Sequence, residues 1–392
     1  MKKFWTLRYT LINVLYFAAF CTIHAYAGVF LLDKGFTNTQ VGFALAASNI
    51  LSVIGQPVVA GFIDKSKRLT NRIVVMAASA LLLLGALSLL ILNSQKIAIL
   101  IIFVLMYTIQ FVYMPIMIAM NFEYQSAGCK INFGLARGMG SAGFAVTSAF
   151  IGKSVELNGT NVLLYVTMIV MALMLAVVFF FKKPDNTAEE DNGKEEAANN
   201  NLFAFIKQYP KFMLFLLGSA CCFFAHNMLN DFLIQIIRSL GGNETHMGYA
   251  TFLQAILELP VMAFIGLVLK KISTKAMLIF ASVAFTAKTF IMFISTGLAG
   301  MYISQSFQLF AYAVFIPTAA LYADKVMKKN DRVKGQAYIN CAITLGGVFS
   351  NLVCGKLLDE FGVGTMLMTG IIVSAIGVVI TVTSMIDKKA KA

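Results

Sequence analysis

Four charged residues stand inside long apolar runs of this 392-residue chain: Arg137, Asp231, Glu258 and Lys288. A charge at mid-span costs at least about 2.5–3.5 kcal/mol on insertion scales, so such residues are candidates for function by default. Their chemistry would be ionic pairing and proton exchange. Glu258 lies roughly 18 Å from the Lys270 end of its run, and Lys288 roughly 20 Å from the Lys275 end, at about 1.5 Å per residue. The two runs are consecutive and antiparallel, so the spacing predicts a Glu258–Lys288 ion pair at matching depth. It serves either proton coupling or the mutual neutralisation of two buried charges.

Asp231 falls within His226-Asn227-Met228-Leu229-Asn230-Asp231. Desolvation disfavours the charged form of a carboxylate, which suits an acid that takes up and releases protons. Asp231, Glu258 and Lys288 are therefore the proton-coupling candidates. For His24 and His226, a hydrogen-bonded core histidine is the simpler reading. Arg137 can pair with Glu123 or Asn121, or hold a ligand. Gln305, Gln308 and Tyr312 recur at i, i+3 and i+7, which predicts one helical face. With Tyr26, Asn340 and Thr344 they would line a cavity of uncharged hydrogen-bonding groups, suited to a neutral polar solute. Routine hydrogen bonding between membrane helices is the competing reading.

The elements that must position these residues follow from composition. Hydrophobic residues make up 59% of the chain and charged residues 12%, against about 25% charged in soluble domains. The mean hydropathy is +0.80. This is the composition of an integral membrane protein. A spanning helix needs roughly 20 apolar residues. Twelve stretches qualify: 9–32, 40–63, 71–92, 97–120, 132–152, 161–181, 211–237, 246–269, 275–297, 299–323, 335–355 and 363–386. The fold class is an all-α membrane protein of twelve transmembrane helices.

A polar segment divides the stretches into a six-helix half at 1–181 and another at 211–392. The linker at 182–210 is acidic in its middle (Asp185, Glu189, Glu190, Asp191, Glu195, Glu196) and reads as a tether. Of the 31 lysines and arginines, all but seven fall at the termini, in the linker or in loops on the same side. The exceptions are Lys34, Lys96, Lys153, Arg238 and Lys356 on the other side, with Arg137 and Lys288 inside the spans. This bias places both termini in the cytoplasm of a cell carrying the chain in its cytoplasmic membrane. It also accounts for the net charge of +13 without nucleic acid. The basic start, Met1–Arg8, lacks a following cleavage signature, so no removable signal peptide is expected.

The halves repeat. Residues 35–42 align with 241–248, and the spacing from Gly42 to Asp64-Lys65 matches that from Gly248 to Lys270-Lys271. Gly143 precedes Gly152-Lys153 as Gly346 precedes Gly355-Lys356. Two parallel six-helix repeats are the expectation. In this register Asn230 falls opposite His24, and Asp231 opposite Ala25. The spacing Gly134-x-x-x-Gly138 suggests close helix approach. The six cysteines lack zinc-ligand spacing and read as small core residues. No phosphate loop, H-E-x-x-H or G-x-S-x-G motif is present. The chain is expected to be no enzyme, to use no metal or cofactor, and to act as a monomer.

Together these features resemble the major facilitator superfamily. Gln56-Pro57 followed by Asp64-Lys65 resembles its loop 2–3 signature, with Ala60 where a glycine is usual; the resemblance gives Asp64 and Lys65 a gating role. Asn132-Phe133-Gly134-Leu135-Ala136-Arg137, Ala25-Tyr26 and the run 331–337 resemble the lactose-permease-like branch of oligosaccharide:proton symporters. There the resemblance places Arg137 and Phe144 at the solute; the polar residues Tyr26, Gln305, Gln308 and Asn340, and Asn230 of the polar cluster on helices 1 and 7, are solute contacts on the reading of the residues themselves. Phe144 stands where sugar transporters of that branch carry tryptophan, and Ala119 where they carry a glutamate. Gln308, Ala311 and Ile343 replace a histidine, a glutamate and a lysine of that branch. These departures point away from a galactoside and from that branch's own proton relay. The implied activity is uptake of a small polar solute, a sugar or nucleoside, with protons, the halves rocking around a midplane cavity. Proton-driven export of amphipathic compounds, and a non-transporting receptor or scaffold, are the competing expectations.

Overall fold

The computed structural model describes residues 4–66, 68–92, 95–183 and 202–386. The acidic centre of the expected linker and the basic residues of both extreme termini lie outside the described residues. Helix is the regular structure of the described residues, and no strand occurs among them.

Twelve long helical stretches follow the twelve apolar runs. The first, α1, begins as Trp5–Phe20, passes through a π-helical turn at Cys21–Ala25 and resumes at Ala27–Asp33. Then come α2 (Asn38–Lys65), α3 (Asn71–Ile91), α4 (Lys96–Ser126), α5 (Phe133–Asn158) and α6 (Asn161–Phe180). Helix α7 is Pro210–Asp231 continued by Leu233–Ser239; α8 is Glu244–Val268 and α9 is Thr274–Ile294. Helix α10 runs Leu298–Ser306, a 3₁₀ turn at Phe307–Leu309, and Tyr312–Val326. One continuous helical stretch, Arg332–Met385, is bent at Gly362 and supplies α11 (332–361) and α12 (363–385). Among the described residues, nine helices are long and apolar enough to cross a membrane. Their outward faces are apolar: Phe62 and Phe180, for example, are 63% and 68% exposed. Without bilayer water, every backbone group of a span must be bonded internally, and helices achieve this.

Local sequence explains where helices begin and end. Thr37 and Gln40 cap α2 reciprocally: Thr37 Oγ1 accepts from Gln40 N at 3.3 Å, and Thr37 N donates to Gln40 Oε1 at 3.0 Å. Asn132 caps α5 through Leu135 N at 3.1 Å, and Ser273 caps α9 through Ala276 N at 3.2 Å. Gly159 ends α5 at φ 78°, and Gly362 parts α11 from α12 at φ 77°. The repeat register that pairs Gly143 with Gly346 also pairs Gly159 with Gly362. A left-handed turn that other residues resist therefore recurs at the same place in each half.

The chain divides into two compact units, residues 1–189 with 242–256, and residues 190–241 with 257–392. In the first unit α1 packs on α5 and α6, and α3 packs on α4 and α6. A base of rings closes it, with Tyr124 stacked on Phe181 at 4.5 Å. The expected close approach at Gly134 and Gly138 is not where α5 meets its neighbours. A Cβ on Gly138 would touch nothing within 4 Å among the described residues. The tight contacts come later on the helix, at Gly140 against Phe17, at Gly143 against Val14 and at Gly152 against Gly248. In the second unit α7 lies along α11 and α12, and glycines again permit it: Gly346 faces the Ala220 carbonyl and Gly377 the Gly218 carbonyl.

The last part of the expected linker is structured rather than a loose tether. Leu202–Gln208 forms a short helix, and Phe205 and Tyr209 join the aromatic core of the second unit. Tyr209 donates its hydroxyl proton to Asp331 Oδ2 at 2.9 Å.

Candidate functional site

In the second unit the buried Lys288 and the half-buried Glu258 are joined through an amide. Lys288, on α9, is wholly buried. Its Nζ donates to Gln308 Oε1 at 2.7 Å, and Gln308 Nε2 donates to Glu258 Oε1 at 2.7 Å. The expected Glu258–Lys288 pairing thus runs through Gln308, which the sequence had placed among the solute ligands. Ser304 Oγ adds a bond to the Lys288 carbonyl at 2.7 Å. Three helices meet here: α8 brings Glu258, α9 Lys288 and α10 Gln308.

Helix α10 is not regular at this point. Ala311 has φ −88° and ψ −90°, and the 3₁₀ turn at Phe307–Leu309 precedes it. The expected i, i+3, i+7 face of Gln305, Gln308 and Tyr312 is therefore broken between its second and third members. A periodicity argument presumes regular α-helical geometry, which the 3₁₀ turn and the Ala311 dihedrals interrupt here. Gln305 and Gln308 are both buried, and Tyr312 turns to stack on His226 at 5.0 Å and 15°.

Helix α7 is also interrupted beside its candidates. Asp231 ends the first piece, and Phe232 has φ −111° and ψ 24°. Asn230 Nδ2 and His226 Nε2 are 3.0 Å apart, and Asn351 of α11 faces the Asp231 carboxylate. His226 also lies close enough to Lys288 to sense its charge. Asn351 went unnoticed in the sequence; its one signal was an amide inside an apolar run.

In the first unit, Arg137 Nη1 donates to Ser141 Oγ at 2.9 Å, and its guanidinium lies 4.2 Å from the centre of the Phe17 ring. Of its expected partners, Glu123 bonds Asn71 at 3.0 Å and pairs with Lys183 at 3.7 Å. Ser141, one turn beyond Arg137, was legible only as a helical neighbour. From Phe17 a run of rings continues to Phe20, 6.1 Å away, and on to Phe144 at 6.2 Å and Phe111 at 5.6 Å. His24 stacks on Phe20 at 4.2 Å and 6°, and neither of its ring nitrogens has a hydrogen-bond partner among the described residues. The expectation of a hydrogen-bonded histidine fails at this position, which is an aromatic one.

Tyr26 is fully buried at the break in α1 and lies over the crossing of α5 and α8, against Gly152 and Gly248. Ser148 Oγ donates to the Gly248 carbonyl at 3.0 Å in the same crossing. Nearby, Glu156 accepts from Asn243 Nδ2 at 2.7 Å and from Thr245 Oγ1. Asn340 is exposed on α11, and its carbonyl accepts from Thr344. Asp64 and Lys65 are the last, exposed residues of α2. No cluster of His, Cys, Asp and Glu suited to a metal exists among the described residues. An apolar groove of about 370 Å³ between α9 and α12, lined by Val283, Phe290 and Ile371 among others, holds none of the polar candidates.

Helices with apolar outer faces and breaks within the spans, and no strand among the described residues, define the class of multi-pass membrane transporters, not enzymes. The MFS_1 like family model matches residues 5–369, and the chain belongs to that family of major facilitator transporters. No curated protein matches it in sequence. Among solved structures it is similar to the nucleoside transporter NupG, with 16% identity, TM-score 0.81, and 98% of this chain and 99% of that chain covered. An autoinhibited POT family peptide transporter is similar with TM-score 0.70 at 8% identity, covering 96% of each chain. A bacterial homolog of the human lysosomal transporter Spinster gives TM-score 0.63 at 14% identity, covering 97% of this chain and 94% of that one.

Proposed function

We propose that this transporter takes up a small polar solute together with protons, by alternating access of two six-helix halves. The halves are residues 1–181 and 211–392, joined by 182–210. They sit in the cytoplasmic membrane with both termini inside, as the lysine and arginine distribution favours. One chain suffices for transport. The observation that carries the reading is the hydrogen-bonded series Lys288–Gln308–Glu258, buried at Lys288 and Gln308 and half-buried at Glu258. A lone buried charge is costly, and an ionisable relay inside a membrane protein is the usual device for moving a proton. Asp231, beside the break in α7, is the second acid available for coupling.

Arg137, Tyr26 and Phe144 of the first half, and Asn230, Gln305 and Asn340 of the second, are the proposed solute contacts. Asp64 and Lys65 are the proposed gating pair. The rings around Phe20 favour a planar solute over a sugar, because aromatic faces stack on a base with little polar cost. The likeness to a protein named as a nucleoside transporter supports the same choice.

Proteoliposome uptake of a panel of nucleosides and oligosaccharides, with and without an imposed pH gradient, tests the proposal. Accumulation of a nucleoside that follows the gradient is the expected result. Uptake indifferent to the gradient removes symport, and uptake of oligosaccharides alone removes the choice of a nucleoside. D231N and E258Q then separate the two acids, since only the coupling acid abolishes gradient dependence when neutralised.

A further inference from the structure

We propose that Gln308 is a positioning residue that holds α8, α9 and α10 together while Glu258 is ionised and loosens them when Glu258 takes up a proton. The proposal rests on the proton-coupling reading above. It removes Gln308 from the solute contacts.

The orientation of the amide follows from its neighbours. A lysine ammonium only donates, and an ionised carboxylate only accepts. The Gln308 oxygen must therefore face Lys288 and its nitrogen Glu258, as the two 2.7 Å bonds show. Both bonds involve an ionised group, and such bonds are roughly twice as strong as neutral ones. A proton on Glu258 changes both ends. The bond to Gln308 Nε2 loses its charge assistance, and Lys288 loses the anion that balances it across the amide. The backbone is poised to respond, because Gln308 sits in the 3₁₀ turn that breaks α10 just before Ala311. A side chain released there is not held by a regular helical ladder on both sides.

The other titratable groups facing this cluster are His226 from α7, within reach of the Lys288 charge, and Tyr312, stacked on His226.

A double-mutant cycle on the purified full-length protein tests this without knowledge of the solute. The thermal unfolding of wild type, E258Q, Q308L and E258Q/Q308L is measured from pH 5 to pH 9. At high pH each single substitution is expected to lower the melting temperature by roughly 2–4 °C, and the double substitution by no more than the worse single one. At low pH the coupling is expected to shrink to that of a neutral hydrogen bond, because wild-type Glu258 is then neutral as well. A group that merely packs would show coupling independent of pH. Additive effects at every pH, or a coupling unchanged between the extremes, overturn the proposal.

If Q308L does not fold, E258Q/Q308E exchanges the amide and the carboxylate and keeps both bonds. It is expected to melt above E258Q, and melting at or below E258Q overturns the proposal. Gradient-driven uptake by wild type separates the two levels. Uptake that follows the gradient while the cycle ignores pH removes the role of Gln308 alone. Uptake that ignores the gradient removes the coupling reading and this proposal with it.

Discussion

Tyr26 and Phe232 break their helices at the same point of the repeat. The register that places Gly35 on Gly241 places Tyr26 on Phe232, and each ends a helical piece with φ near −100° and a small positive ψ (−99° and 15°, −111° and 24°). The seven-residue pieces that follow, Ala27–Asp33 and Leu233–Ser239, also correspond. The breaks are shared, but the side chains around them are not. In the first half His24 is packed among rings; in the second, His226, Asn230 and Asp231 form a polar group. Duplicated backbone irregularity with divergent chemistry is what a transporter needs if one half carries the charge relay and the other does not.

Removing one member of the buried charge pair should be worse than removing both. E258Q alone leaves the wholly buried Lys288 without its counterpart, a loss of about 3–5 kcal/mol, and K288M leaves the half-buried Glu258 carboxylate at a smaller loss. The K288M/E258Q double variant should recover part of it. The yield and melting temperature of purified protein check this, and a double variant no better than either single one would sink the pairing.

The α5–α8 crossing should resist any side chain at Gly152. A Cβ there would come within 2.9 Å of the Tyr26 hydroxyl and 3.1 Å of Gly248 Cα, with the Glu244 carbonyl also in the way. G152V should cost about 1–3 kcal/mol through overpacking. G138V, on the same helix with open space around its Cβ, should be close to wild type by the same thermal measurement.

The paired glycine turns make a quantitative comparison. G159A and G362A each force a residue with a Cβ into a positive-φ, extended-ψ backbone that is essentially confined to glycine, at about 1–3 kcal/mol. Equal losses of thermal stability are expected at the two sites, since their φ values are 78° and 77°. A much smaller loss at one would show that the two turns are not equivalent in energy.

Cys129, in the loop between α4 and α5, should react slowly with maleimide in the folded protein near neutral pH. It is 4% exposed, and burial pushes its thiol above the usual value while Lys183 pulls the other way. A raised value means less thiolate, which is the reactive form. Labelling should therefore rise with pH and become rapid on denaturation. Fast labelling of the native protein at pH 7 would contradict the burial.

Composition and order along the chain account for the spans and their duplication. The twelve apolar runs, the repeat and the charged positions within the spans were all legible, because bilayer thickness and backbone satisfaction leave few alternatives. The tertiary structure alone decided how those positions are used. Gln308 looked like a solute ligand on a regular helical face until the break in α10 turned it between Lys288 and Glu258. Gly134 and Gly138 fitted a packing motif, yet the approach falls at Gly140, Gly143 and Gly152. His24 proved to be an aromatic packing residue. The physical reason is the same each time. Linear spacing predicts neighbours only along an unbroken helix, whereas these contacts arise where a helix is broken or where a side chain comes from another helix.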